Sequence, residues 1–90
     1  MKESEILRHE LVGLKSRILE STNRTQKGLE GTVTGESRNI IIIDIRGREK
    51  RFLKENCVFG FLVNGKWLKV EGRLLVARPE DRIKKRLNKW

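Results

Sequence analysis

The sequence predicts a mainly β protein: a small antiparallel barrel of five to six short strands with a short helix at each end. Three observations predict it. Apolar and polar residues alternate over short runs, tight-turn residues separate those runs, and only the two ends carry helix-like spacing. A chain of 90 residues has room for one compact core rather than two. We divide it into an N-terminal helix over 1–13, a barrel over 14–78 and a basic C-terminal helix over 79–90.

Each element follows from local pattern. Leu7, Leu11 and Leu14 recur at helical spacing, and Gly13 supplies a C-terminal stop. From Leu14 to Leu19 the pattern alternates, with Lys15 and Arg17 on one face and Ser16 and Ile18 on the other. After a polar loop, Leu29, Gly31, Val33 and Gly35 share a face opposite Glu30, Thr32, Thr34 and Glu36; the glycines suit the bends of a small barrel. Ile40 to Ile43 is apolar on both faces and needs cover on each side, for which the N-terminal helix is the expected source. A turn at Arg46-Gly47-Arg48 leads into a short basic strand ending near Lys54. Val58 to Val63 then meets Asn64-Gly65, the strongest short-range hairpin signal, because both central turn positions need positive φ. The return strand Lys66 to Glu71 points Leu68 and Val70 inward and Trp67 and Lys69 outward. Such a series of short strands and tight turns is SH3-like or Sm-like. At the end, Pro79 fits the first helical position and Glu80 and Asp81 sit at the positive end of the helix dipole. Ile83, Leu87 and Trp90 make a narrow apolar stripe, with Arg82, Lys84, Lys85, Arg86 and Lys89 around it.

Composition points to a polyanionic partner. The net charge is +9 and the isoelectric point about 10.3, which favours nucleic acid, with an anionic membrane surface as the formal alternative. No apolar run approaches a membrane span or a signal peptide's core, so the chain reads as cytoplasmic with no membrane partner. Cys57 is the single cysteine, which excludes an internal disulfide and a cysteine-rich metal site, and reads as a small buried hydrophobe. His9-Glu10 begins an H-E-x-x-H motif, but position 13 is Gly, so the second zinc ligand is missing. With one His, one Cys and two Asp, no catalytic triad or metal cluster assembles from the usual side chains. We therefore assign no catalytic residue, no metal ligand and no cofactor to the chain. Lys27-Gly28-Leu29-Glu30-Gly31 resembles a G-x-x-G phosphate loop only superficially, since a β pattern follows it and Glu30 repels phosphate.

Three basic groups are the candidate RNA-binding residues: Lys15 and Arg17 on the first strand; Arg46, Arg48, Lys50, Arg51 and Lys54 around the third turn; and Arg78, Arg82, Lys84, Lys85 and Arg86 at the end. Ile6, Leu7, Leu11 and Trp67 are the candidate partner-binding residues. Trp67 beside Lys69 has the chemistry to stack on an unpaired base, although a surface tryptophan is more often a protein contact. Two other readings fit the same features: a protein-interaction adaptor barrel, and a KOW-type ribosomal or transcription barrel that prefers a different RNA. The low aromatic content and the absence of Tyr argue against a groove for proline-rich peptides.

Several stretches together resemble one family. Gly28-x-x-Gly31-x-Val33, Glu36-Ser37-Arg38-Asn39, and above all the ending from Glu71-Gly72-Arg73 through Arg78-Pro79-Glu80-Asp81-Arg82-Ile83-Lys84 are similar to the archaeal ribonuclease P protein component 1 family, over about residues 9–86. The resemblance implies an Sm-like barrel that binds the RNA of ribonuclease P, the enzyme that removes 5′ leaders from precursor tRNA. It implies that the RNA is catalytic and that Mg²⁺ sits on the RNA. It further implies a small zinc-ribbon protein as partner, the pair together supporting the RNA's specificity domain, with other ribonuclease P proteins nearby and precursor tRNA contacted indirectly.

Overall fold

Six antiparallel strands form one sheet in the computed structural model, which describes residues 3–82. A single helical turn, α1 (Glu3–Ile6), precedes β1 (Lys15–Ser21), β2 (Glu30–Glu36), β3 (Ile40–Ile45), β4 (Arg48–Leu53), β5 (Cys57–Val63) and β6 (Lys66–Glu71). The strand order is β4-β3-β2-β1-β5-β6. The sheet curls, because Phe52 on one edge strand and Val70 on the other belong to the same buried core as Ile18, Val33, Ile41, Ile43, Phe59 and Phe61. The mainly β, barrel-like fold expected from alternation and turns is therefore present, with six strands. Among the described residues no helix is long and apolar enough to cross a membrane.

Closure is made by turns rather than by a strand ladder. The 3-10 turn Lys54–Asn56 follows β4 and the 3-10 turn Gly72–Leu75 follows β6, and the two pack together. Gly72 is required at this junction: a Cβ there would overlap the Lys54 carbonyl oxygen and crowd that of Cys57. Cys57 and Leu75 are buried beside this seam, and burial pushes the Cys57 thiol up.

Both tight hairpins have the expected chemistry. Asn64 and Gly65 have φ of 52° and 79°, and Arg46 and Gly47 have φ of 54° and 85°, so each pair fills a two-residue turn whose twist matches the flanking strands. β3 splits its isoleucines: Ile41 and Ile43 enter the core, while Ile40 and Ile42 are half-buried on the outer face. The outer side is not closed over by the N-terminal helix as the sequence suggests, because α1 packs against β6 instead.

The N-terminal helix is shorter than the spacing of Leu7, Leu11 and Leu14 implies. After Ile6 the backbone tightens through Arg8 N–H to Glu5 O and His9 N–H to Ile6 O, and the helix ends. The carbonyls of Leu7 and His9, which a continuing helix would use, accept instead from the Arg82 guanidinium, and the Gly13 N–H donates to Val33 O. Tertiary partners thus override the helical period. Ile6 and Leu11 are fully buried in the core, so neither is available as a partner contact, and Leu7 is half-buried against it. Helical backbone resumes at 79–82; the remainder of the basic helix over 79–90, with Lys84, Lys85 and Arg86, lies outside the described residues.

Candidate nucleic-acid interface

The β3–β4 hairpin concentrates exposed cations at one edge of the sheet. Its two-residue turn places Arg46 at the tip, and β4, an edge strand, carries Arg48, Lys50 and Arg51, all exposed. Phe52 alone anchors β4 in the core, so the cationic part of the strand projects from the body of the barrel. Glu49, the acidic residue in the middle of this group, accepts a hydrogen bond from Thr34 Oγ1 at 2.8 Å. None of Arg46, Arg48, Lys50 and Arg51 forms an ion pair with a carboxylate of the described residues. Four cations beside two carboxylates, Glu49 and its cross-strand neighbour Asp44, leave a net positive edge that attracts phosphate.

A second cationic surface spans the outer face of β1, β5 and β6. Arg17 donates to Glu30 from Nε at 2.8 Å and lies at 2.6 Å through Nη2, while Lys15 approaches the other Glu30 oxygen at 3.2 Å. These donors hold the Glu30 carboxyl below its ordinary range, the Arg17 hydrogen bond contributing most and the Lys15 bond next. The Arg17 guanidinium carbon stands 4.3 Å from the centroid of the Trp67 ring. Trp67 keeps 38% exposure, and Lys66 and Lys69 beside it are exposed. Arg17, expected at RNA, and Trp67, expected at a partner, therefore belong to one surface.

Two residues expected to face RNA are buried structural cations. The Lys54 side chain is 0% exposed, and its ammonium, with three donors, faces Glu36 Oε2 at 2.7 Å, Ser37 O at 2.7 Å, Leu75 O at 2.9 Å and Ala77 O at 3.1 Å. Arg82 is 5% exposed and binds both Glu36 carboxylate oxygens as well as Leu7 O and His9 O. Burial pushes the Lys54 ammonium below its ordinary value and nearby Arg82 adds to that; Glu36 opposes both. Neither cation can reach a phosphate without dismantling this cluster. Arg78 does remain exposed, paired with Asp81 at 3.3 Å.

Glu36 is the residue that the sequence pattern misplaces. A strict alternation puts it outward with Glu30 and Thr32, but the β2–β3 register shifts between Val33 and Gly35. Beyond that bulge Glu36 pairs with the fully buried Ile41, and its side chain is only 1% exposed. The available signal lay in the stretches that carry the family resemblance, since Glu36 and Arg82 are opposite charges drawn from two of the three.

The fold and these surfaces define a small basic β-barrel with its cations gathered on one hairpin edge and one sheet face. The chain belongs to the ribonuclease P/MRP subunit p29 family, whose model matches residues 4–85. It is 47% identical over 83 residues to ribonuclease P protein component 1 of Methanocaldococcus jannaschii, covering 91% of this chain and 87% of the relative. It is 39% identical over 90 residues to the protein of the same name from Pyrococcus furiosus, covering 99% of this chain and 71% of that one. A solved structure of a homologue of human RNase P protein Rpp29 superposes with a TM-score of 0.61 at 45% identity, covering 84% of this chain and all (100%) of that one.

Proposed function

We propose that this chain is a noncatalytic subunit of ribonuclease P that binds the catalytic RNA and stabilises its folded form during removal of 5′ leaders from precursor tRNA. The observation that carries the reading is the β3–β4 hairpin, where Arg46, Arg48, Lys50 and Arg51 project without described ionic partners from a protein of this family. Cations held on a rigid edge screen repulsion between closely packed RNA segments, so the folded RNA needs less free Mg²⁺. The Mg²⁺ belongs to the RNA. The described carboxylates engaged in ion pairs include Glu36 with Lys54 and Arg82, Glu30 with Lys15 and Arg17, Glu71 with Arg73 and Asp81 with Arg78. Charge on this scale at a surface with little sequence-reading geometry suits backbone contact rather than base readout.

The reading includes the RNA's specificity domain as the target, a zinc-ribbon ribonuclease P protein as immediate partner, and the cytoplasm as the place of action; the family membership supports these. Precursor tRNA is then bound by a better-ordered RNA surface. Reconstituted 5′ processing with the ribonuclease P RNA, run with and without this chain across a Mg²⁺ series, tests the proposal. Addition of the chain lowers the Mg²⁺ needed for half-maximal rate. An unchanged rate, substrate affinity and Mg²⁺ demand contradicts it.

A further inference from the structure

Trp67 and Arg17 are distant in sequence, and the sheet brings them together across β5, which carries a glycine beside them. β5 lies between β1 and β6, and its Gly60 pairs with Arg17 on one side and Lys69 on the other. With no side chain at Gly60, the indole of Trp67 leans over β5: a Cβ there would stand 3.4 Å from Trp67 Cε3 and 3.4 Å from Leu19 Cδ1. Arg17 meets the ring at 4.3 Å and is itself fixed from the far side by Glu30. Two planar groups are thus locked in place before any ligand arrives, and both stay open to solvent, Trp67 at 38% and the Arg17 side chain at 42%.

The surroundings decide what such a pair can hold. Lys15, Arg17 and Lys69 share the region with Glu30 as the facing carboxylate, and Leu19 and Leu62 are already half-buried. A protein hot spot needs a desolvated apolar neighbourhood around its aromatic anchor, whereas an exposed indole and guanidinium among lysines is suited to a nucleobase with its flanking phosphates. We propose that Trp67 and Arg17 form a stacking site for one unpaired RNA base, with Lys69, on the same face of β6 as Trp67, taking an adjoining phosphate. This rests on the RNA-binding reading above and adds to it a place for single-stranded nucleotides, distinct from the backbone-facing β3–β4 edge.

The test uses the full chain carrying Trp90→Phe, which leaves Trp67 as the sole tryptophan of the original two. Short oligoadenylate and an abasic strand of equal length are titrated against it. Oligoadenylate quenches Trp67 fluorescence and the abasic strand, equal in charge but without bases, does not. Trp67→Leu, which keeps an apolar cover over Gly60, weakens oligoadenylate binding by about 5- to 150-fold and leaves the salt slope of binding as in the parent. Absence of quenching, or a Trp67→Leu affinity within about twofold of the parent, overturns the site. Quenching that requires another ribonuclease P protein instead of RNA assigns the face to protein docking and likewise overturns it. In either case the unmutated chain still binds folded ribonuclease P RNA; loss of that binding is the separate signature of failure of the broader reading.

Discussion

Lys54, Glu36 and Arg82 put two positive charges and one negative charge where water is excluded. Five backbone carbonyls, from Ser37, Leu75, Ala77, Leu7 and His9, accept from the two cations, leaving the buried Arg82 Nε without a partner among the described residues. The cluster joins the end of β2, the seam after β4, the N-terminal segment and the start of the last helix. Glu36→Gln strands both cations and destabilises the fold by about 3–5 kcal/mol, read as a lowered denaturation midpoint; adding Lys54→Met recovers part of that loss. A midpoint unmoved by Glu36→Gln would remove the cluster from the fold's support. At the surface, Glu30 has a folded pKa below its ordinary 4.5. The unfolded chain therefore binds its proton first as pH falls, so the stabilisation is fully present above 4.5 and is lost as pH drops through the lowered folded value. The gap in melting temperature between the wild type and Glu30→Gln accordingly exists at neutral pH and closes in acid. Its size is modest, since exposed ion pairs are screened; a gap constant with pH contradicts the assignment.

At the scale of elements, the two short hairpins were legible because their turns demand particular residues: Asn64-Gly65 needs positive φ at both positions, and Arg46-Gly47 meets the same need with one glycine. Alternation also placed Ser16 and Ile18 inside and Lys15 and Arg17 outside. What alternation cannot convey is a change of register, and the bulge between Val33 and Gly35 turned Glu36 from an outward residue into the centre of a buried cluster. Lys54 and Arg82 were misplaced for the same reason, because a cation's burial depends on a partner whose direction only the folded sheet fixes. The N-terminal helix failed differently: Arg82, remote in sequence, captures the carbonyls that would have extended it. Closure of the barrel gives a test at this scale. Gly72→Ala forces the Lys54–Asn56 turn away from the Gly72–Leu75 turn and costs about 3 kcal/mol, whereas Gly31→Ala, which meets the Asp44 carbonyl, loosens the β2–β3 pairing instead. Hydrogen exchange distinguishes them: Gly72→Ala raises exchange first at the seam after β4 and β6, and uniform loss of protection in both variants contradicts a local closure.

For the whole molecule, the net charge of +9 matters by its distribution. Buried Lys54 and Arg82 serve the fold, and Lys15 with Arg17 is shared with Glu30, so the β3–β4 edge holds the largest described group of cations open to a polyanion. The barrel makes that edge rigid through Phe52, Ile41 and Ile43, and rigidity keeps the ordering cost of RNA binding low. The salt dependence of binding to ribonuclease P RNA is the most direct measurement of this account, comparing the wild type with a variant carrying Arg46→Gln, Arg48→Gln, Lys50→Gln and Arg51→Gln. The variant retains the wild-type melting temperature, binds more weakly at low salt, and shows a slope of log affinity against log salt shallower by about 0.7 to 0.9 for each phosphate it no longer neutralises. A variant with unchanged affinity and unchanged slope would contradict the claim that this edge meets the RNA.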